Sequence, residues 1–404
     1  MSHPDVTIVT PSYNQGEFIR ATIESVLAQD YPNLEYIIMD GGSTDDTAAI
    51  VAEYAGRLTW ISEKDRGQAH AINKGFAKAR GEIVAWLNSD DFFLPGAVTR
   101  AVQAFERMPQ AAVIYGDGYL ADREGRRTAR FSGGGRFNLW RLVYLTDYVL
   151  QQSTFFRRAA VAEVGGLDED LHYALDWDLL IRLGKRFGLE YVPEDFAVLR
   201  EYPDAKSFSG GRGRVDEIRK VLERHTGLKR APGFWTYGLD TLQRECRNRL
   251  VGSAPAWLKA PARLLNLGVY VPTMAAIILI QRHVQGLYPD GWASDRLKWM
   301  LPEGAGEVVV RGILPGDRRL TGMTLSAVAA GRQLAAWQLQ PGDFNVRFRA
   351  PAQDGPFLFE LRSSAYRRPD LGQEFGLRRM SFMLSSVDWA RSEPPTTPAP
   401  LAVR

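Results

Sequence analysis

The residues with the most chemical content are two adjacent carboxylates at the end of an apolar run. Ile83 to Leu87 is short and apolar, and Asn88, Ser89, Asp90 and Asp91 follow it directly, ahead of Phe92, Phe93, Leu94 and Pro95. Adjacent carboxylates repel each other unless a cation or a donor lies between them, and hard divalent cations take oxygen ligands. Asp91 and Asp90 are therefore candidate ligands for a hard divalent cation on a diphosphate, although taken alone the pair is more simply an acidic strand-to-helix turn. A second acid, Asp40, closes an earlier apolar run and precedes Gly41, Gly42, Ser43, Thr44, Asp45 and Asp46. Ser43 is expected as a helix N-cap with Asp46 three residues on as a partial capping box, and the helix dipole then accounts for Asp45 and Asp46. Asp40 is left over. At a strand end its carboxylate can accept the ring N–H of a nucleobase while Tyr13, at the end of the first strand, stacks on the base face.

Further along, Asp176 and Asp178 open the helical segment Tyr173 to Phe187. Residues two apart do not share a helix face, so only one of them can address a substrate, and a helix N-terminus favours both charges in any case. Beyond it, Arg200, Lys206, Arg212 and Arg214 surround Gly210, Gly211 and Gly213. The segment Ser209 to Gly213 reads as a mobile loop, because glycine is conformationally permissive, and such a cationic loop can close over a diphosphate and exclude water. A solvated basic linker is the plainer alternative. His70 is read as a structural donor at a helix start, and five histidines with one cysteine offer no His/Cys metal cluster.

These residues need a scaffold that gathers them. From Val6 to Asn88, apolar runs at Val6–Thr10, Glu35–Met39, Leu58–Ser62 and Ile83–Leu87 alternate with segments of helical period, the pattern of βαβ units and a parallel sheet. Each run ends in polar residues, at Ser12 to Asn14, Asp40, Glu63 to Arg66, and Ser89 to Asp91, which is the edge where open α/β sheets place ligands. Ala112–Tyr115, Ser153–Phe156 and Glu190–Leu199 are further strand candidates. From Val215 to about Leu301 the pattern turns helical and basic. It includes the apolar run Leu264–Ile280, interrupted by Pro272 and flanked by Lys259, Arg263, Arg282 and His283, for which a packed helix, a membrane-surface helix and a span are all open. Short alternating runs from Gly306 to Trp389 predict a β-sandwich, with Trp337, Phe344, Phe357, Phe359 and Trp389 as core, and Ser392–Arg404 has the composition of a disordered tail. The expected division is an α/β domain at 1–225, a helical region at 226–302, a β-sandwich at 303–390 and a tail at 391–404.

Bulk properties narrow the function. A chain of 404 residues with 45% hydrophobic and 24% charged residues is a folded, multidomain protein. Cys246 alone excludes an intramolecular disulfide and suits a reducing compartment. A formal net charge of +3 is too small to imply a nucleic-acid partner. No basic stretch followed by an apolar one precedes Val6, so a cytoplasmic protein is expected.

The segments VTIVTPSYNQGEFI, YIIMDGGSTDDT, ISEKDRGQAHAINKGF, GEIVAWLNSDDFFLPGAV and YALDWDLLIRL, in this order between Val6 and about Tyr202, resemble the family 2 glycosyltransferases, which are inverting enzymes with a GT-A fold. The resemblance implies a Rossmann-like nucleotide-diphospho-sugar transferase domain in which Pro11, Tyr13, Asp40 and Arg66 hold uracil or another base. It puts Asp90 on the ribose and Asp91 on the Mg or Mn of the diphosphate, over which the cationic loop with Lys206 and Arg212 is expected to close. Asp117, Gln151 and Gln152 fall where the family builds its acceptor side. Two departures stand out: Asn88 replaces a common Asp, and Leu175 replaces the Glu of a Glu-Asp pair, leaving Asp176 in the place of the catalytic base.

The same resemblance implies a single displacement. Asp176 deprotonates an acceptor hydroxyl, which attacks the anomeric carbon from the face opposite the nucleotide, so one carboxylate suffices and the configuration inverts. The expected donor is a nucleotide-sugar, UDP favoured, and the expected acceptor a glycan or lipid-linked oligosaccharide in bacterial surface-polysaccharide synthesis at the inner face of the cytoplasmic membrane. Peripheral membrane contact and homo-oligomerisation are compatible with the sequence. The competing readings are an inactive scaffold with a carbohydrate-binding β-sandwich, against which the retained acids argue, and a nucleotidyltransferase. The latter would need a glycine-rich basic loop where Pro11 to Asn14 stand.

Overall fold

The computed structural model describes residues 5–131, 137–206, 210–247, 268, 270–273, 292–366 and 380–391. They belong to two compact units, Met1–Ile277 and Ile278–Arg404. In the first, β1 (Val6–Ser12) is buried along its whole length and pairs in parallel with β2 (Leu34–Asp40) on one edge and β4 (Ile83–Trp86) on the other. Both faces of β1 are covered, which is why it reads as a continuous apolar run. Val6 and Ile8 pack with Ile19, Ile23 and Val26 of α1 (Ile19–Leu27). On the opposite face Gly75 of α3 (Gln68–Lys78) lies so close to Val9 that a Cβ there would sit 2.4 Å from a Val9 methyl.

The sheet continues as β3-β2-β1-β4-β8-β6-β9-β5, with β3 (Thr59–Ser62), β8 (Thr154–Arg157), β6 (Val113–Ala121), β9 (Glu190–Arg200) and β5 (Phe92–Phe93), and β7 (Arg127–Phe131) pairs with β6. Strands β1 to β4 are parallel, while β8 runs antiparallel to both β4 and β6. The pairing of β5 with β9 has a direct consequence for the site, because it folds the chain after Asp91 back against Arg200. Neither β5 nor β7 is predicted: two residues are too few to show a period, and Arg127–Phe131 is a largely exposed polar edge.

Two local expectations are corrected. Ser43 is not a helix cap. The helix α2 (Thr47–Ala52) starts later, and Ser43 Oγ instead donates to Asp40 Oδ1 at 2.5 Å and accepts from Asn14 N at 2.8 Å. Asp45 likewise serves the neighbouring loop, accepting from Gly16 N at 2.8 Å as well as from Thr47 N at 3.1 Å. These bonds zip the Asn14–Gly16 turn to the 43–47 turn, so the tips of β1 and β2 form one surface. The second correction concerns the glycines after Lys206. Ser209 lies outside the described residues, but Gly210 to Gly213 form the start of a helix, Gly211–Thr226, rather than a mobile loop. A Cβ on Gly210 would come within 2.7 Å of the Tyr173 ring, so the small residue serves close packing.

A second helix, Pro232–Arg247, comes next. The predicted apolar run Leu264–Ile280 and its flanking charges Lys259, Arg263, Arg282 and His283 lie outside the described residues except at Gly268 and Tyr270 to Thr273. Among the described residues no helix is long and apolar enough to cross a membrane.

The second unit is two four-stranded antiparallel sheets whose inward faces alternate with exposed residues, as in the strand Gly342–Arg349. Its strands begin at Trp292, before the expected start at 303, because Arg296–Leu301 pairs with Phe357–Ser363. Phe344, Phe357 and Phe359 are core residues, with Trp337 and Trp389 packed against them as partly buried neighbours. The predicted tail from Ser392 onward lies outside the described residues.

Candidate active site

A cleft of about 640 Å³ opens at the ends of β1 and β4, and it is lined by Pro11, Tyr13, Asp90, Asp91, Asp176, Lys206 and Arg214 among others. That volume suits a ligand of nucleotide size. Tyr13 is 61% exposed, and the backbone beside it is a glycine at Gly41, where a Cβ would come within 2.8 Å of Asp65 Oδ2 and 3.3 Å of the Tyr13 ring.

At the acidic turn the two aspartates differ. Asp91 is buried, and both of its oxygens already accept: Oδ2 from Gln152 Nε2 at 2.7 Å and Asn88 Nδ2 at 3.1 Å, Oδ1 from Arg200 N at 2.9 Å. Thr22 Oγ1 of α1 donates to the carbonyls of Ser89 and Asp91, at 2.8 and 2.7 Å, and so fixes the turn itself. Asp90 is less enclosed, accepting at Oδ2 from Tyr202 Oη at 2.8 Å, and its carbonyl accepts from Arg200 Nη1. Burial pushes both carboxyls up, and the Asp90 charge raises Asp91 further, so the turn gains most from a cation placed beside it.

Asn88 gives the absent acid a physical reason. Its Nδ2 donates to Asp91, while its Oδ1 accepts from Gln68 Nε2 at 2.8 Å, and Gln68 Oε1 in turn accepts from Lys206 Nζ at 2.8 Å. An aspartate at 88 has no hydrogen to give Asp91. Lys206 is thereby tied to the acidic turn, and its burial lowers the ammonium to about 8 against the opposing pull of Asp176 and Glu217.

Asp176 sits at the first turn of the helix Leu175–Arg186, facing the cleft. Burial raises its carboxyl, with Lys206 and Arg214 opposing, and that favours a general base over an ordinary carboxylate. The competing acid, Asp178, faces away. It is fully buried and accepts from Arg182 Nε at 2.7 Å, His225 Nε2 at 2.9 Å and Arg224 Nη1 at 3.2 Å. Burial alone would raise Asp178, but its His225 and Arg182 partners outweigh that and hold it at about 2.

The remaining expected residues scatter. Asp40 is buried behind the cleft, its carboxylate accepting from Ser43 Oγ and Ser62 Oγ, each at 2.5 Å. Arg66 is exposed and paired with Glu169, and Arg212 is exposed on the helix Gly211–Thr226; neither lines the cleft. His70 Nδ1 accepts from Arg66 N at 3.1 Å, a structural role, though as acceptor and not donor. Gln151 and Gln152 line the floor, but Asp117 is buried elsewhere, accepting from Tyr191 Oη at 2.9 Å.

The family model described as "Glycosyl transferase family 2" matches residues 7–165. An uncharacterized glycosyltransferase of Mycobacterium tuberculosis is 34% identical over 184 residues, 45% of this chain and 69% of that protein. The chain belongs to glycosyl transferase family 2. Its α/β unit accordingly has the GT-A fold, and the protein is a glycosyltransferase. An uncharacterized glycosyltransferase of Rickettsia bellii is 25% identical over 313 residues, 74% of this chain but 43% of that protein. The chondroitin synthase of Escherichia coli is 33% identical over 186 residues, 45% of this chain and 27% of the synthase.

In this glycosyltransferase, motif reading overlooks Gln68, Tyr202 and Glu217. Gln68 is legible in hindsight from its place at the start of α3, one strand tip from the acidic turn. The other two are not, since Tyr202 and Glu217 meet partners 112 and 44 positions away in sequence.

Proposed function

We propose that this glycosyltransferase moves a sugar from a nucleotide-sugar, with UDP as the favoured nucleotide, to an acceptor hydroxyl by one displacement with inversion. The observation that carries the reading is that Tyr13, Asp90, Asp176 and Lys206, from four separate stretches of the chain, line one cleft. Tyr13 stacks on the base against Pro11, and Lys206 with Arg214 faces the diphosphate. Asp40 shapes the β2 tip through its two serines and reaches a base N–H only by giving up one of those bonds. Arg66 and Arg212 have no donor contact in this reading.

The donor set at the acidic turn fits Mg or Mn held by one protein carboxylate, diphosphate oxygens and water, the usual manner for the smaller cation. Among the described residues there is no group of three or more His, Cys, Asp or Glu placed to hold a metal ion, and in this reading the diphosphate supplies further oxygens. We assign the ligand role to Asp90, because the Asp91 oxygens are already occupied by Gln152, Asn88 and Arg200. When bound, the cation disperses charge on the leaving diphosphate. The chain's own part is to fix the donor and to place Asp176 where it takes the acceptor proton as the hydroxyl attacks. The acceptor is a glycan or lipid-linked oligosaccharide in surface-polysaccharide synthesis at the inner face of the cytoplasmic membrane, a reading supported by kinship with a polysaccharide synthase.

The test is a panel of UDP-, GDP- and dTDP-sugars scored by thermal stabilisation with Mn, since a bound donor stabilises by mass action. A UDP-sugar is expected to raise Tm, and Asp176→Asn to keep that shift while losing turnover by roughly 10²- to 10⁴-fold. No stabilisation by any donor, or full turnover in Asp176→Asn, refutes the assignment.

A further inference from the structure

The glycosyltransferase motifs end before the helix Gly211–Thr226, yet this helix grips the turn that carries the base. Glu217 turns its carboxylate onto three consecutive backbone amides at the entry to the helix Leu175–Arg186. Oε1 accepts from Tyr173 N at 2.5 Å and Ala174 N at 2.6 Å, and Oε2 accepts from His172 N at 2.8 Å. Ala174 N is the amide of the N-cap residue, His172 N and Tyr173 N belong to the turn that leads into it, and Leu175–Arg186 has no N-cap side-chain bond of its own. A carboxylate is the natural acceptor at that end of a helix, and one borrowed from a distant segment substitutes for the missing local cap.

Two further contacts fix the same pair of helices. The Tyr173 ring lies against the backbone of Gly210, and at the far end His225 and Arg224 hold Asp178. Asp176 is the second residue after Ala174, so any change in the direction of the 172–174 turn moves its carboxylate within the cleft. Glu217 does not itself line the cleft; it meets the lining at the backbone of His172 and Tyr173, and its charge bears on Lys206.

We infer that Glu217 is a positioning residue, which sets the orientation of Asp176 by capping the turn before it. The inference rests on the reading of Asp176 as base. It predicts a specific kinetic signature: misplacing the base slows chemistry, while the donor pocket around Tyr13 is untouched.

The experiment uses the full chain and the UDP-sugar that stabilises it best in the donor panel, at pH 6.5, where Lys206 stays charged. Glu217→Ala is expected to lower kcat on the order of 10- to 100-fold, with the donor KM changed less than about threefold. Glu217→Gln is expected to recover a part of the loss, because its carbonyl oxygen still accepts from Tyr173 and Ala174. Hydrogen exchange at the 172–174 amides should speed up in Glu217→Ala while the exchange of β1 and β4 stays as in the parent, which separates repositioning from global unfolding. An unchanged kcat in Glu217→Ala, or a loss that Gln does not relieve at all, overturns the inference. Asp176→Asn run alongside separates the two failures: if it is inactive and Glu217→Ala is not slowed, the positioning role alone falls, and if it turns over normally, both fall.

Discussion

If Lys206 faces the donor diphosphate as proposed, it is expected to set an upper limit on the pH at which the donor is held. Its ammonium, ordinarily at 10.5, is lowered by burial to about 8. Such a group is about nine-tenths charged at pH 7, about half at pH 8 and about one-tenth at pH 9. The charged form, which attracts a diphosphate, is the one lost as pH rises. The value of kcat/KM for the donor reports ionisations of the unliganded enzyme, so it should fall about tenfold between pH 7 and pH 9. In Lys206→Arg the guanidinium stays charged across that range and the alkaline limb should vanish, even if the rate at pH 7 drops because the bond to Gln68 is not reproduced. Lys206→Met should be slow at every pH with no limb at all. Initial rates of UDP release from the stabilising donor, with Mg held constant, measure all three profiles. An alkaline limb that survives unchanged in Lys206→Arg would refute the reasoning, since the titrating group would then be another.

Three further outcomes are expected from the same geometry. Asn88→Asp removes the hydrogen given to Asp91 and adds a third carboxylate, so the metal-free protein should lose about 1–3 kcal/mol and regain more on adding Mn than the parent does, read as Tm with EDTA or Mn. If Mn restores nothing, the cation does not sit beside this turn. Asp178→Ala strips Arg182, Arg224 and His225 of a shared buried acceptor and should cost about 3–5 kcal/mol in denaturant unfolding. Because Asp178 is held at about 2, below its ordinary 3.8, the parent's matching stability is present above pH 4 and drains away as pH falls toward 2, a slope that Asp178→Ala should lack. Tyr13→Ala should weaken donor binding by roughly 2- to 12-fold, the worth of one ring stack, with kcat little changed; an unaltered Kd by calorimetry removes the stacking role.

Much of the α/β unit was legible because its strands are covered on both faces and its helices on one, so burial writes itself into the sequence as periods. β1, β2, β4 and β9 were expected within a few residues of where they lie. Elements stabilised by pairing alone left no such trace, as with the two-residue β5 and the polar edge β7. In the sequence the basic residues of Arg296–Leu301 mask its alternation within a segment of helical pattern, and the partner Phe357–Ser363 reveals it as a strand. At the site, Tyr13, Asp90 and Asp176 are readable from type and position, but Gln68 and Tyr202 are not, nor is the direction of any of these side chains. Asp178 competes with Asp176 in the sequence, and its partners on the helix Gly211–Thr226 turn it away from the cleft; Asp91, expected on the metal, already accepts from Gln152 and Arg200.

By itself the sequence determined which chemistry is present: an aromatic ring and an acidic turn at strand ends, and a pair of acids at a helix start. Tertiary structure decided what each carboxylate is occupied with, because a side chain's ionisation and aim depend on donors that arrive from far along the chain. Glu217 is the clearest instance. Nothing in its neighbourhood of sequence sets it apart, and only folding brings it onto the amides that precede Asp176.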